Sequence, residues 1–231
     1  MPRKRVGQRS KYPPLRPADR AARPGMFSPG GRLLQVEYAR ECPQSGPLSV
    51  AIRCRDGVVF GKAMAVEPEL GFEIPLFWPV TSKIAYVANG NLGDMFFLRD
   101  MLAQRRRTST PDVERLIRAT LHEHAVRTDV RPLALLLLLG SVEGGRPRLV
   151  GFDVTGSEFE CDAWAIGTGN PTARSRLMHG SNPSDPIIEA VATVDRVYGR
   201  RAHKTLLLRT RKRPATPQPL KEGVHSDESS R

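Results

Sequence analysis

The stretch MFSPGGRLLQVEYARE, residues 26–41, decides how this chain is read. A Ser-Pro-Gly-Gly turn stands directly ahead of an amphipathic segment close to the N-terminus. Leu33, Val36 and Ala39 share one helical face, with Leu34 beside them. A turn followed at once by a helix is thus expected before the first strand-like run.

Outward from that stretch, the 231 residues suffice for one sizeable domain with a buried core. Hydrophobic content is only 39%, with 20 Gly and 20 Pro, which points to an ordered domain diluted by disordered ends. The expected division is a basic arm over 1–25, a folded domain over 26–210 and a tail over 211–231. The net charge of +12 is concentrated accordingly: residues 1–24 carry +7 and residues 200–213 another +7, while 25–199 is near neutral. A nucleic-acid-binding fold spreads basic groups over a folded face with stacking aromatics, and the basic arm has one aromatic, Tyr12. An RNA- or polyanion-binding role for the basic ends stays open as an alternative. Cys42, Cys54 and Cys161 are odd in number and lack CxxC spacing, which speaks against a disulfide framework or a zinc site and for a reducing cytosol. No signal-length apolar run follows the basic N-terminus, and the longest apolar run, Leu133–Leu139, is too short to span a bilayer.

Between the ends the pattern is mixed. Two β-like runs, Leu48–Cys54 and Val58–Ala65, flank Arg55-Asp56-Gly57, a hairpin signal. Segment 67–80 has no clear period. A strand is expected at Lys83–Ala88 and a helix over Leu92–Arg107, with Arg105-Arg106-Arg107 as its last turn. Thr110-Pro111-Asp112 predicts the start of another helix with Thr110 as N-cap. Three β-like runs follow, Leu133–Val142, Arg148–Val154 and Glu158–Ile166; then helices over 171–179 and Pro186–Tyr198, and a last strand Lys204–Arg209. Blocks of antiparallel strands separated by helix pairs predict two packed sheets with helices outside.

Other constellations carry little. Gly167-Thr168-Gly169-Asn170-Pro171-Thr172 imitates a dinucleotide loop but lies late in the chain, outside an early βαβ unit, and reads as a tight strand-to-helix turn. His122 and His124, two apart on a helix, point to different faces, so no metal site is expected there. Trp78 and Trp164 read as core or interface fillers. No cofactor is indicated.

The opening stretch closely resembles the signature of proteasome α-type subunits, F-S-P-x-G-R-L-x-Q-V-E-Y-A, at every fixed position from Phe27 to Ala39. CRDGVVF, SKIAYVANGNLGD and the long run from Arg131 to Gly169 resemble later family segments, so the likeness covers about residues 18 to 209. The resemblance implies an α+β fold, a four-layer α/β/β/α sandwich of the N-terminal nucleophile hydrolase type. It implies that the first helix lies across the cleft that active β-type relatives open to substrate. Those relatives use an N-terminal threonine freed by cleavage after glycine. The matching dipeptide here is Gly46-Pro47, so a non-catalytic subunit is expected.

Further roles follow from the resemblance alone. Partners would be other α-type subunits in a seven-membered ring, a β-type ring, regulatory ATPases or caps, and unfolded protein in transit, in the cytoplasm and, for a eukaryotic protein, the nucleus. Pro29, Glu37, Tyr38, Arg40, Asp19 and Arg20 would serve the pore gate and ring contacts. Lys83, Gly90 and Leu33 would line a pocket for an activator's C-terminal tail. The chain departs from the pattern in two places: Ala18-Asp19-Arg20 lacks the gate tyrosine and lies two residues farther from Phe27, and segment 67–80 replaces a basic family segment with acidic and aromatic residues. A divergent stand-alone scaffold of the same fold is the alternative.

Overall fold

The computed structural model describes residues 33–64, 75–104, 109–127, 129–199 and 202–210. Its elements run α1 (Leu34–Ser45), β1 (Ser49–Cys54), β2 (Gly57–Ala63), β3 (Trp78–Thr81), β4 (Ile84–Gly90), α2 (Leu92–Ala103), α3 (Thr110–Val126), β5 (Leu135–Ser141), β6 (Arg148–Phe152), β7 (Glu158–Glu160), β8 (Ala163–Ile166), α4 (Asn170–Gly180), α5 (Ile187–Tyr198) and β9 (His203–Arg209). The strands form a four-stranded sheet, β8-β1-β2-β9, and a five-stranded sheet, β3-β4-β5-β6-β7, antiparallel throughout.

The two-residue side-chain alternation of strands builds the layers. Ala51, Val58 and Phe60 of the smaller sheet meet Ala85, Val87, Leu138 and Leu149 of the larger one between the sheets. Val50, Ile52 and Val59 face the other way, onto Ala173 and Leu177 of α4 and Ala190 and Val194 of α5. Ile84, Tyr86, Leu135, Leu137 and Leu139 turn outward onto Leu98 of α2 and Val113, Ile117 and Leu121 of α3. The order is therefore helices, sheet, sheet, helices. The apolar run Leu133–Leu139 supplies the central strand β5, whose two faces are both covered, so its sequence shows no alternation.

Several expectations need correction. Glu158–Ile166 is two strands in different sheets: β7 pairs with β6, and β8 pairs with β1. The chain crosses from one sheet to the other at Cys161-Asp162, a step that periodicity cannot display. Segment 67–80 contains β3, paired with β4; its residues up to 74 lie outside the described ones. Helix α2 is described over Leu92–Ala103 with Gln104 as its C-cap; Arg105-Arg106-Arg107, expected as its last turn, lie outside the described residues. The N-cap of α3 is Ser109; Thr110 is the first helical residue, and its N–H is satisfied by Glu143 Oε2 at 2.8 Å. The Arg55-Asp56 hairpin is present, with Gly57 already inside β2 opposite Cys54.

Candidate functional site

Helix α1 runs directly into β1 through Gly46-Pro47, at one end of the sandwich. Its apolar face is short: Val36 and Ala39 pack with Ala125 near the end of α3 and Val154 after β6, and Leu33, Ala134 and Leu136 pack against this group. Its C-terminal end is held on the other sheet's side, because Thr168, after β8, donates its N–H to Gly46 O (2.9 Å) and its hydroxyl to Ser45 O (3.1 Å). One helix thus touches the β4–β5 end of the larger sheet and the β8–α4 turn of the smaller. No side-chain cap closes its N-terminus at Leu33.

Pro47 is fastened between the sheets. The Asn89 amide donates to Pro47 O at 2.8 Å, and Asn89 Oδ1 accepts from the Ser49 hydroxyl at 2.9 Å. Asn89 and Ser49 are both buried. Gly167 closes the arrangement at φ +89°; an added Cβ would lie 2.4 Å from Asn89 Nδ2 and 2.5 Å from Pro47 O, so only glycine fits. The sequence reading of this turn as a tight strand-to-helix connection holds, with Gly169 at φ +81° as the N-cap of α4.

Lys62, which sequence reasoning missed, lies directly opposite Ser49 in the β1–β2 pairing. It is buried, and its ammonium donates to Ala88 O of the other sheet at 2.7 Å. Burial lowers its pKa to about 8, since no anion offsets the lost hydration. A lysine inside the run Val58–Ala65 was the only available signal. The cluster contains no free amine at residue 47: the Pro47 nitrogen is a tertiary amide bonded to Gly46, with neither hydroxyl nor proton to exchange.

The residues that the resemblance assigns to a gate and to ring contacts fall into two groups. Asp19, Arg20 and Pro29 lie outside the described residues. Glu37 and Arg40 pair with each other at 2.9 Å, and Arg40 also reaches Asp153 at 3.4 Å. Asp153 was missed. It organises the β6–β7 turn, its Oδ1 accepting from the Thr155 N–H, the Thr155 hydroxyl and the Ser157 N–H. The spacing Asp-x-Thr-x-Ser was a legible turn signal. Tyr38 is half-buried, and its shielded hydroxyl has no partner among the described residues.

Lys83, Gly90 and Leu33, which the resemblance assigns to an activator pocket, do not come together within this chain. Gly90, at φ +139°, presses against the Ala134 carbonyl, and Leu33 and Ala134 pack against the same apolar cluster, so these two share a neighbourhood. Lys83 is exposed in the β3–β4 turn, at the far end of the seven-residue strand β4. Strand geometry puts about 20 Å between those ends.

His122 is exposed, whereas His124 is half-buried against Phe97, with Nδ1 2.9 Å from Thr120 O. Among the described residues no group of three His, Cys, Asp or Glu side chains is placed to hold a metal ion. Among them, too, no helix is long and apolar enough to cross a membrane.

Residues 44–197 match the family model described as "Proteasome subunit". The chain is 33% identical over 188 residues to the proteasome subunit alpha of Natronomonas pharaonis, covering 74% of each chain. It is 31% identical over 177 residues to that of Methanosphaerula palustris, covering 72% of this chain and 73% of the relative. The two packed antiparallel sheets with outer helices, the helix running into β1 and these likenesses together make this chain a member of the proteasome subunit family, of alpha type.

Proposed function

We propose that the chain is a non-catalytic subunit that joins a seven-membered α-type ring, docks on a β-type ring and contributes to the pore and to the docking surface for regulators. The observation that carries the non-catalytic reading is Pro47. A nucleophile there would need a free amine and a hydroxyl, and proline has no hydroxyl, its nitrogen is a tertiary amide, and its carbonyl is tied to Asn89. α1 leads into that position without a break, which supports its role as a cover over the sheet ends. The exposed Phe97, Val126, Met178 and Ile188 support assembly over a stand-alone scaffold. Co-expression with a β-type subunit, followed by sedimentation, tests the reading. A ring-sized complex is expected; a chain that stays monomeric with every β-type partner overturns it. Threonine-inhibitor-sensitive hydrolysis of peptides by the purified chain would overturn the non-catalytic part.

A pocket for an activator tail needs two copies in this reading. Lys83 would come from one subunit, and Gly90 and Leu33 from its neighbour. Lys83→Ala removes one charge-assisted contact of roughly 1.5–3 kcal/mol, or roughly ten- to a hundredfold in activator affinity. Lys83→Arg retains the charge as a control. Equal affinity of assembled wild-type and Lys83→Ala rings rules the lysine out.

A further inference from the structure

Each sheet has two margins, and three of the four are closed to a further strand. On β8 the Ala165 carbonyl accepts from Arg174 Nε at 3.0 Å, and the Arg174 guanidinium lies over the Trp164 ring at 3.8 Å. β7 is three residues long, and its Glu158 and Glu160 are held by Arg118 at 2.9 Å and Arg148 at 3.1 Å. β3 is four residues long, contains Pro79 and shifts register between Pro79 and Thr81. Shortness, proline, bulges and covering side chains are the ordinary protections of a sheet margin. β9 has none of them: its seven residues pair with β2 in unbroken register, from Gly57 opposite Arg209 to Ala63 opposite His203.

The bonds at its two ends fix which backbone groups β9 leaves unused. The Met64 N–H donates to Ala202 O at 3.0 Å, and the Thr210 N–H donates to Asp56 O at 2.9 Å. Antiparallel pairs alternate, so the even-numbered residues of β9 bond to β2 and the odd-numbered ones aim outward. Among the described residues, the outward N–H and C=O groups of Thr205, Leu207 and Arg209 make no backbone bond. Leu206 and Leu207, on opposite faces, are only half-buried, so a further strand would cover apolar surface on both sides. Lys204 and Arg209 are exposed and belong to no ion pair among the described residues. Two carboxylates beside the strand are already engaged, Asp195 with His203 at 2.9 Å and Asp56 with the Ile187 N–H at 2.7 Å. Against them, residues 200–213 carry seven Lys or Arg and no acid.

We infer that the outer edge of β9 docks an extended acidic peptide segment of a partner protein, which joins the smaller sheet as a fifth strand, antiparallel to β9. Charge selects this guest. The edge of a second copy would bring its own Lys204 and Arg209 up to these, and like charges repel across a ladder where opposite charges attract. Side-chain alternation sets the order of the guest's residues. Read from its N-terminus, it needs an acid opposite Arg209, apolar residues opposite Leu207 and Leu206, and an acid opposite Lys204. Its first, third and fifth residues exchange backbone bonds with Arg209, Leu207 and Thr205.

The test is fluorescence anisotropy of a labelled Glu-Thr-Val-Val-Thr-Glu peptide with the full chain, up to about 500 μM because so short a strand binds weakly. The Lys-Thr-Val-Val-Thr-Lys counterpart should bind at least about fivefold more weakly. Lys204→Glu combined with Arg209→Glu, both at exposed positions, should reverse that preference. N-methylation of the Glu peptide's third residue removes the N–H that meets the Leu207 carbonyl and should weaken binding at least about fivefold. N-methylation of its second residue, whose N–H aims away from β9, should leave binding unchanged. Hydrogen exchange should slow at the Thr205, Leu207 and Arg209 amides on binding and stay the same at Leu206 and Leu208. Equal binding of the two N-methylated peptides, equal binding of the Glu and Lys peptides, protection only outside β9, or no binding overturns the proposal. Binding of single-stranded oligouridylate without binding of the Glu peptide overturns it as well and gives the basic strand to nucleic acid.

Discussion

The Asn89 side chain bridges the two sheets by donating to Pro47 O at 2.8 Å and accepting from the Ser49 hydroxyl at 2.9 Å. The bond to Ser49 is buried and the one to Pro47 partly so, so a group that loses its partner there pays much of its desolvation cost. Asn89→Leu strands the Pro47 carbonyl together with the Ser49 hydroxyl. A loss of about 2–4 kcal/mol is expected, read from the urea midpoint at constant slope.

Gly167→Ala tests the same junction sterically. The new methyl would have to displace the carbonyl oxygens of Pro47, at 2.5 Å, and Gly46, at 2.9 Å, at a φ of +89°. Backbone atoms cannot yield as a flexible side-chain tip can. A loss of about 3 kcal/mol or more is expected, and soluble yield at 37 °C should fall with it. A thermal midpoint equal to that of wild type would contradict the placement of this turn.

Lys62 gives a pH dependence with a definite sign. Its pKa is about 8 in the fold against 10.5 for the free side chain. Between those values the unfolded chain binds more protons, so stability rises with pH across the window from about 8 to 10.5. Below pH 8 the burial cost is present in full, at about 3 kcal/mol. Lys62→Met should therefore raise stability at pH 7 by up to that amount and remove the rise. Tyr86 and Tyr198, whose pKa values burial pushes up, act oppositely near pH 10, so the difference between wild type and variant is the quantity to measure.

Asp94 and Arg131 form an asymmetric pair. Asp94 is buried and accepts from Arg131 at 2.5 and 2.8 Å and from the Ala134 N–H at 2.9 Å, whereas the Arg131 side chain is 59% exposed. Arg131→Ala leaves the buried carboxylate without its cation and should cost about 3 kcal/mol. Asp94→Asn keeps an acceptor for Ala134 and frees an arginine that water can solvate, so its cost should be the smaller. Denaturant unfolding of both variants checks the order; the reverse order would refute the asymmetry.

Tyr38→Ala tests assembly. The residue is half-buried on α1 and its hydroxyl has no partner among the described residues, so the isolated fold should lose no more than about 1–2 kcal/mol. Ring formation should be abolished. Leu33→Asp is less informative, because Leu33 packs against the same apolar cluster as Ala134 and Leu136 and a charge there disturbs the monomer. Unchanged size-exclusion profiles on co-expression with a β-type subunit would remove Tyr38 from the contact.

Local chemistry determined much of this protein. The α1 stretch, the Arg55-Asp56 hairpin, the helices opened by Asn91 and by Pro111, and the glycine turn before α4 are all written in neighbouring residues, because caps, turns and periodicity act over a few positions. The family resemblance, read from the sequence alone, also set Pro47 against the threonine of active relatives, since a residue without a hydroxyl needs no fold to be noticed. Tertiary structure alone decided which sheet each strand enters. Glu158–Ile166 reads as one run, yet its halves pair with β6 and β1, because register and sheet membership are set by partners far along the chain. It also decided which charges meet. Lys62 finds a carbonyl 26 residues away and Arg40 finds Asp153 113 residues away, and burial shifts the Lys62 pKa where no neighbouring residue could foretell it. Lys83 and Gly90, seven positions apart in one motif, are held at opposite ends of an extended strand, because a β-strand separates what a helix would bring together.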